Sequence, residues 1–113
     1  PSQKGIVDVE PIREKVYRVK RAVEKPDSPS SNLAIEPLYF FKPSIFEVLS
    51  HVSPGKGGEI QLTDGIQRLV DRDANVLAIE LNKDEARLDI GSPETYWDSL
   101  RCSYEKAARS HQI

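Results

Sequence analysis

The stretch RLDIGSPETYW, residues 87–97, carries a short apolar approach through an acid and a glycine into a helix, and it decides how the rest is read. Ser92 and Pro93 mark the helix start. A serine oxygen accepts an orphan amide at the N-cap, and proline suits a first position whose amide has no partner. Asp89 is thereby expected at the C-terminal edge of a strand, directly before the Gly91 turn. In open α/β sheets that edge carries the loops and helix N-termini that meet ligands. Taken alone, an acid in a turn is a turn residue, so the weight passes to the other stretches.

Downstream, Trp97, Leu100, Tyr104 and Ala107 recur at helical spacing, a stripe that suits core or subunit contact better than a cofactor. Cys102 flanks it with no His or Lys beside it in sequence and is given no nucleophilic role. The tail, residues 108–113, is expected to fray.

Upstream, NVLAIEL (residues 75–81) alternates as a strand, and residues 82–86 form a charged turn. Residues 59–64 lead into a helix with Leu62, Ile66, Leu69 and Val70 on one side and Thr63 as its cap. Glu59 stands just ahead, beside the glycine-rich SPGKGG (residues 53–58). That loop is no phosphate loop, because Gly57, Gly58 and Glu59 follow Lys56 where a serine or threonine opening a helix is required. It reads as a flexible connector. Ser44 and Glu47 have capping-box spacing, and Ile45, Phe46, Leu49 and Val52 share a face, which predicts a helix over residues 44–52. His51 falls in its last turn, where a cation suits the helix dipole.

The most apolar run, NLAIEPLYFF (residues 32–41), predicts a buried strand, with Pro37 at an edge or bulge. Residues 27–31 (DSPSS) are a loop. Val16–Val23 is rich in β-branched residues and predicts a half-exposed strand leading to Glu24, Lys25 and Pro26. Proline pins the preceding residue in the extended region, so Lys25 should leave the strand at a fixed angle. Side by side on an extended chain, Glu24 and Lys25 would face opposite ways, separating a hydroxyl acceptor from an ammonium able to meet phosphate. Residues 5–9 predict a first strand, ended by Pro11, in which Gly5 lets a ligand or another backbone come close.

About four strands alternating with three helices predict an α/β class, but one whose layer is incomplete. At 113 residues the chain is one domain at most and small for a complete α/β enzyme. Its 38% hydrophobic and 30% charged residues with a net charge of −2 offer no bulk attraction for nucleic acid or an anionic membrane. Cys102 alone cannot form an internal disulfide, no apolar run is long enough to span a bilayer, and no leader pattern opens the chain. A cytoplasmic address is the expectation. One cysteine and the distant His51 and His111 give no zinc-type spacing, so any metal would be a hard cation on carboxylate.

Four segments in order then show a resemblance: VEKP (residues 23–26), SNLAIEPLYFF (31–41), PGKGGEIQLTDGI (54–66) and LDIGSPETY (88–96). Together they resemble the C-terminal half of the sugar-1-phosphate nucleotidyltransferases, nearest to the UTP–glucose-1-phosphate uridylyltransferase kind. The resemblance implies a partial, Rossmann-like nucleotidyltransferase layer, a mixed sheet with flanking helices lacking the N-terminal nucleotide-binding half. It implies the synthesis of a nucleotide sugar and pyrophosphate from a nucleoside triphosphate and a sugar 1-phosphate, with Mg2+. By the same resemblance Lys25 holds the sugar phosphate, Glu24 and Glu59 accept sugar hydroxyls, Gly5 exposes backbone to the sugar, and Asp89 is the magnesium ligand. Lys25 and Asp89 are then the catalytic pair, set where phosphate and a divalent cation meet. The family's nucleotide loop and first metal-binding aspartate have no counterpart here, so these residues are not expected to turn over by themselves. Lys4 precedes Gly5 where the family usually has an aromatic. GSPETYW leans toward thymidylyl- and guanylyltransferases while GEIQLTD leans toward uridylyltransferases, which leaves the base open. The alternative reading is a noncatalytic α/β module that uses the Trp97 stripe for homo-oligomerisation or partner binding.

Overall fold

The structure is a computed structural model that describes residues 4–110. It divides into two compact units, one ending at Glu80 and the other beginning at Leu81.

In the first unit, β1 (Ile6–Arg13), β2 (Val16–Val23) and β3 (Leu77–Ile79) form an antiparallel sheet in the order β1-β2-β3. Two residues join β1 to β2, and Lys15 takes a positive φ of 57° to close the turn. The predicted first strand ends too early, because β1 runs through Pro11. An edge strand can tolerate a missing amide, and the register with β2 slips between Pro11 and Arg13. β2 keeps its predicted bounds. β3 is shorter than expected but alternates as expected: Val76 and Ala78 pack on the core while Leu77 and Ile79 face outward.

The predicted strand over residues 32–41 is absent. Ala34 makes an isolated bridge to Ile6, framed by Val7 N–H donating to Leu33 O at 3.1 Å and Ile35 N–H donating to Gly5 O at 2.8 Å. There the ladder stops. Pro37 has no donor, and Leu38 N–H turns back to Glu36 O at 2.7 Å, which bends the chain and leaves Phe40 95% exposed.

Helix α1 (Ser44–Leu49) is shorter than the predicted span, and the capping box does not form. Pro43 already has helical torsions, so Ser44 lies inside the first turn with no capping bond, and Glu47 meets Arg72 Nη1 at 3.1 Å. His51 lies beyond the helix, with Nδ1 2.8 Å from Glu47 O. Ile45, Val48 and Val52 are buried, whereas Phe46 is 74% exposed rather than part of the inward face. The connector contains a one-turn 3-10 helix (Lys56–Gly58) whose Gly57 and Gly58 have positive φ. Helix α2 (Leu62–Asp71) starts at Gln61, so Thr63 is its second residue and not its cap. α2 packs on β2 and on α1, and Ile6, Val7, Val19, Ala22 and Ile66 lie buried in this unit. Gln67 Oε1 accepts the amide of Ala22 at 2.7 Å, tying helix to sheet.

The second unit contains α3 (Pro93–Ser110). Its start is as predicted: Thr95 N–H donates to Ser92 Oγ at 3.3 Å and Ser92 N–H donates to Thr95 Oγ1 at 3.0 Å, a reciprocal cap. Glu94 in the first turn has its carboxyl held below the usual range, first by a backbone amide bond and then by Ser92. The helix continues through Ser110, so residues 108–110 do not fray, and residues 111–113 lie outside the described residues. No residue of α3 is buried, and Trp97, Leu100 and Tyr104 are exposed. The approach to Asp89 is not a strand, since residues 85–90 have no regular structure. No helix among the described residues is long and apolar enough to cross a membrane.

Candidate functional site

In the first unit, the end of β2, the residues before β1 and the first turn of α2 meet around one carboxylate. Thr63 Oγ1 donates to Glu24 Oε2 at 2.6 Å, and Glu24 Oε1 is 3.8 Å from Lys25 Nζ. The Glu24 side chain is 17% exposed and that of Lys25 45%, so an oriented acceptor lies beside a reachable ammonium. The two share a side, contrary to the expectation that they face apart. The reason is local: Lys25 is not extended but has φ 42°, a left-handed torsion that folds it back toward Glu24. Proline disfavours the right-handed helical region for the residue before it, and here the chain takes the other escape.

Gly5 completes the corner. A Cβ on it would stand 3.1 Å from both Glu24 Oε2 and Thr63 Oγ1 and 3.0 Å from Ile35 Cδ1, so glycine is what lets these groups close in. Lys4 Nζ pairs with Glu36 Oε1 alongside. Tyr39 has its phenol raised above the ordinary value by burial first, then by the Glu24 and Glu36 carboxylates, which places it among them. Its ring stacks on Phe41 with centroids 5.4 Å apart.

The structure therefore brings Gly5, Glu24 and Lys25 together. Glu59 is exposed on the loop before α2, its carbonyl accepting Gly55 N–H at 2.9 Å, and no contact joins its carboxylate to that corner. Three participants were missed by sequence reasoning. Thr63 stands where the sequence predicts a cap, but its place two residues into α2 turns the hydroxyl to Glu24, just after β2. Glu36 and Tyr39 lie in the run whose predicted strand does not form.

Asp89 belongs to the second unit. Arg87 Nη2 donates to its Oδ1 at 3.2 Å, and Ser99 Oγ donates to its backbone carbonyl at 2.8 Å, so α3 positions the residue. It lines a shallow groove of about 340 Å³ with Arg87, Thr95, Asp98, Ser99 and Arg101. Among the described residues no group of three or more His, Cys, Asp or Glu side chains could hold a metal. Asp89 thus offers one hard oxygen donor. That suits magnesium, which is bound through one or two carboxylates with phosphates and water completing its shell.

The nucleotidyl transferase family model matches residues 1–105. The chain belongs to that family. Within it, the chain is 38% identical over 112 residues to a UTP–glucose-1-phosphate uridylyltransferase of Pseudomonas aeruginosa, covering 95% of this chain and 39% of that protein. It is 42% identical over 89 residues to UTP–glucose-1-phosphate uridylyltransferase 1 of Staphylococcus saprophyticus, covering 77% of this chain and 30% of that one. A solved UDP-glucose pyrophosphorylase in complex with UDP-glucose superposes with a TM-score of 0.82 at 37% identity, over 93% of this chain and 39% of that chain. The architecture is accordingly part of the α/β nucleotidyl transferase fold, and the chain spans about 39% of the length of such relatives.

Proposed function

We propose that this chain is the sugar-phosphate-binding part of an enzyme that makes a nucleotide sugar of the UDP-glucose type, with pyrophosphate, from a nucleoside triphosphate and a sugar 1-phosphate. The observation that carries the reading is the corner of Gly5, Glu24 and Lys25, where a fixed carboxylate and a reachable ammonium stand 3.8 Å apart. A sugar 1-phosphate presents the complementary pair, hydroxyls and a phosphate on one small ring. Family membership and the names of the relatives supply the reaction class.

In that reaction an oxygen of the sugar phosphate attacks the α-phosphorus of the triphosphate, a new P–O bond forms, and the α–β bridge breaks to release pyrophosphate. Two polyanions must be brought together, so binding and charge neutralisation dominate the work of the protein. Lys25 holds the sugar phosphate and offsets its charge. Glu24 accepts a sugar hydroxyl and fixes the ring, Gly5 keeps side-chain bulk out of the corner, and Glu59 accepts a second hydroxyl. Asp89 is the residue that would hold Mg2+, which when bound neutralises phosphate charge.

Titration calorimetry with glucose 1-phosphate tests the reading. Saturable binding that weakens at least about tenfold in Lys25→Ala, the scale of one charge-assisted contact, is the expected result. Absence of heat at millimolar ligand, together with a stable dimer, would replace it with the self-association module built on the Trp97 stripe.

A further inference from the structure

Of the described residues, Thr63 is the one buried polar side chain, 5% exposed. It stands second in α2, behind a Gln61 N-cap that makes no side-chain bond, and its Oγ1 donates to Glu24 Oε2 at 2.6 Å. The acceptor on the other side of that carboxylate, Oε1, is left facing Lys25 at 3.8 Å, a loose ion pair and not a hydrogen-bonded one. Gly5 closes the third side, with any Cβ there 3.1 Å from both bonded oxygens.

A glutamate side chain has three rotatable bonds, and ordering them costs free energy that a bound ligand would otherwise have to supply. We infer that Thr63 is a positioning residue for sugar selectivity: by anchoring Oε2 it fixes the direction in which Oε1 accepts, so that Glu24 discriminates among sugar hydroxyls. This rests on the reading of Glu24 as a hydroxyl acceptor. Without the anchor the carboxylate is free to turn and accepts from no particular hydroxyl.

The test is a ligand–residue cycle. Affinities of glucose 1-phosphate and its mono-deoxy analogues are measured by calorimetry for the wild-type chain, Thr63→Val, which keeps the shape and loses the hydroxyl, and Thr63→Ser, which keeps the donor. In the wild type, one deoxy analogue binds about tenfold more weakly than the parent sugar, the scale of a hydrogen bond to a charged acceptor. Thr63→Val reduces that ratio to within about twofold of unity, and Thr63→Ser restores it. A merely structural threonine would weaken every ligand by the same factor and leave the ratio intact, and that result overturns the inference while leaving the functional reading in place. A wild type that binds no glucose 1-phosphate overturns the functional reading and this inference with it. Should Thr63→Val fail to melt cooperatively, Thr63→Cys supplies a weakened donor in its place, and the ratio then falls between the wild-type value and unity; a ratio unchanged from wild type overturns the inference.

Discussion

Adding a single methyl group at Gly5 should damage fold and binding together. Gly5 does not have a positive φ, so alanine meets no backbone penalty and the effect is steric. The new Cβ would stand 3.0 Å from Ile35 Cδ1, which can yield by rotating, and 3.1 Å from both oxygens of the Glu24–Thr63 bond, so that relieving the crowding strains that bond and breaks it at the limit. Breaking a hydrogen bond to a charged group costs about 1.5–3 kcal/mol. Alanine returns about 0.4–1 kcal/mol by restricting the unfolded chain. The net destabilisation is therefore about 1–2 kcal/mol, which for a unit of this size lowers Tm by about 5–15 °C. Thermal unfolding followed by circular dichroism measures the first effect, and calorimetry with glucose 1-phosphate the second, a loss of about tenfold in affinity. Gly5→Ala melting with the wild type and binding as tightly would refute the reasoning, because the corner could then not be as closely packed as the contacts require.

Gln67→Ala removes the side-chain acceptor of the Ala22 amide and should cost about 1–3 kcal/mol in urea unfolding. Val48→Ala, at a fully buried position, should cost about 2 kcal/mol, while Phe46→Ala on the same short helix should stay within about 0.5 kcal/mol, reversing what residue size suggests. Glu94 has its carboxyl lowered in the folded state, so its contribution to α3 is present at neutral pH and is lost as pH falls from the ordinary glutamate value through the lowered one. Glu94→Gln should flatten the loss of helicity across that acid range, read by circular dichroism.

How far the sequence discloses this structure depends on whether local or long-range forces decide each element. β2 and the start of α3 are read correctly because β-branched content and Ser92-Pro93 capping act within a few residues. The run over residues 32–41 misleads because apolar content suggests burial, yet Pro37 lacks the amide a strand would need and the chain turns at Glu36–Leu38. Phe46 falls on a helical face by spacing, but Val48 is the side chain that meets the core. At the site, Gly5, Glu24 and Lys25 are legible as residue types, while their closeness is not. It depends on the left-handed torsion at Lys25 and on Thr63 crossing from α2 to β2, and neither is written in local spacing.

The central claim is that a sugar 1-phosphate is held where β2 ends and α2 begins. Backbone amide shifts in a two-dimensional NMR titration with glucose 1-phosphate test it most directly. Gly5, Glu24, Lys25 and Thr63 should move together, along one saturation curve. Saturable shifts elsewhere with those four amides unmoved would contradict it.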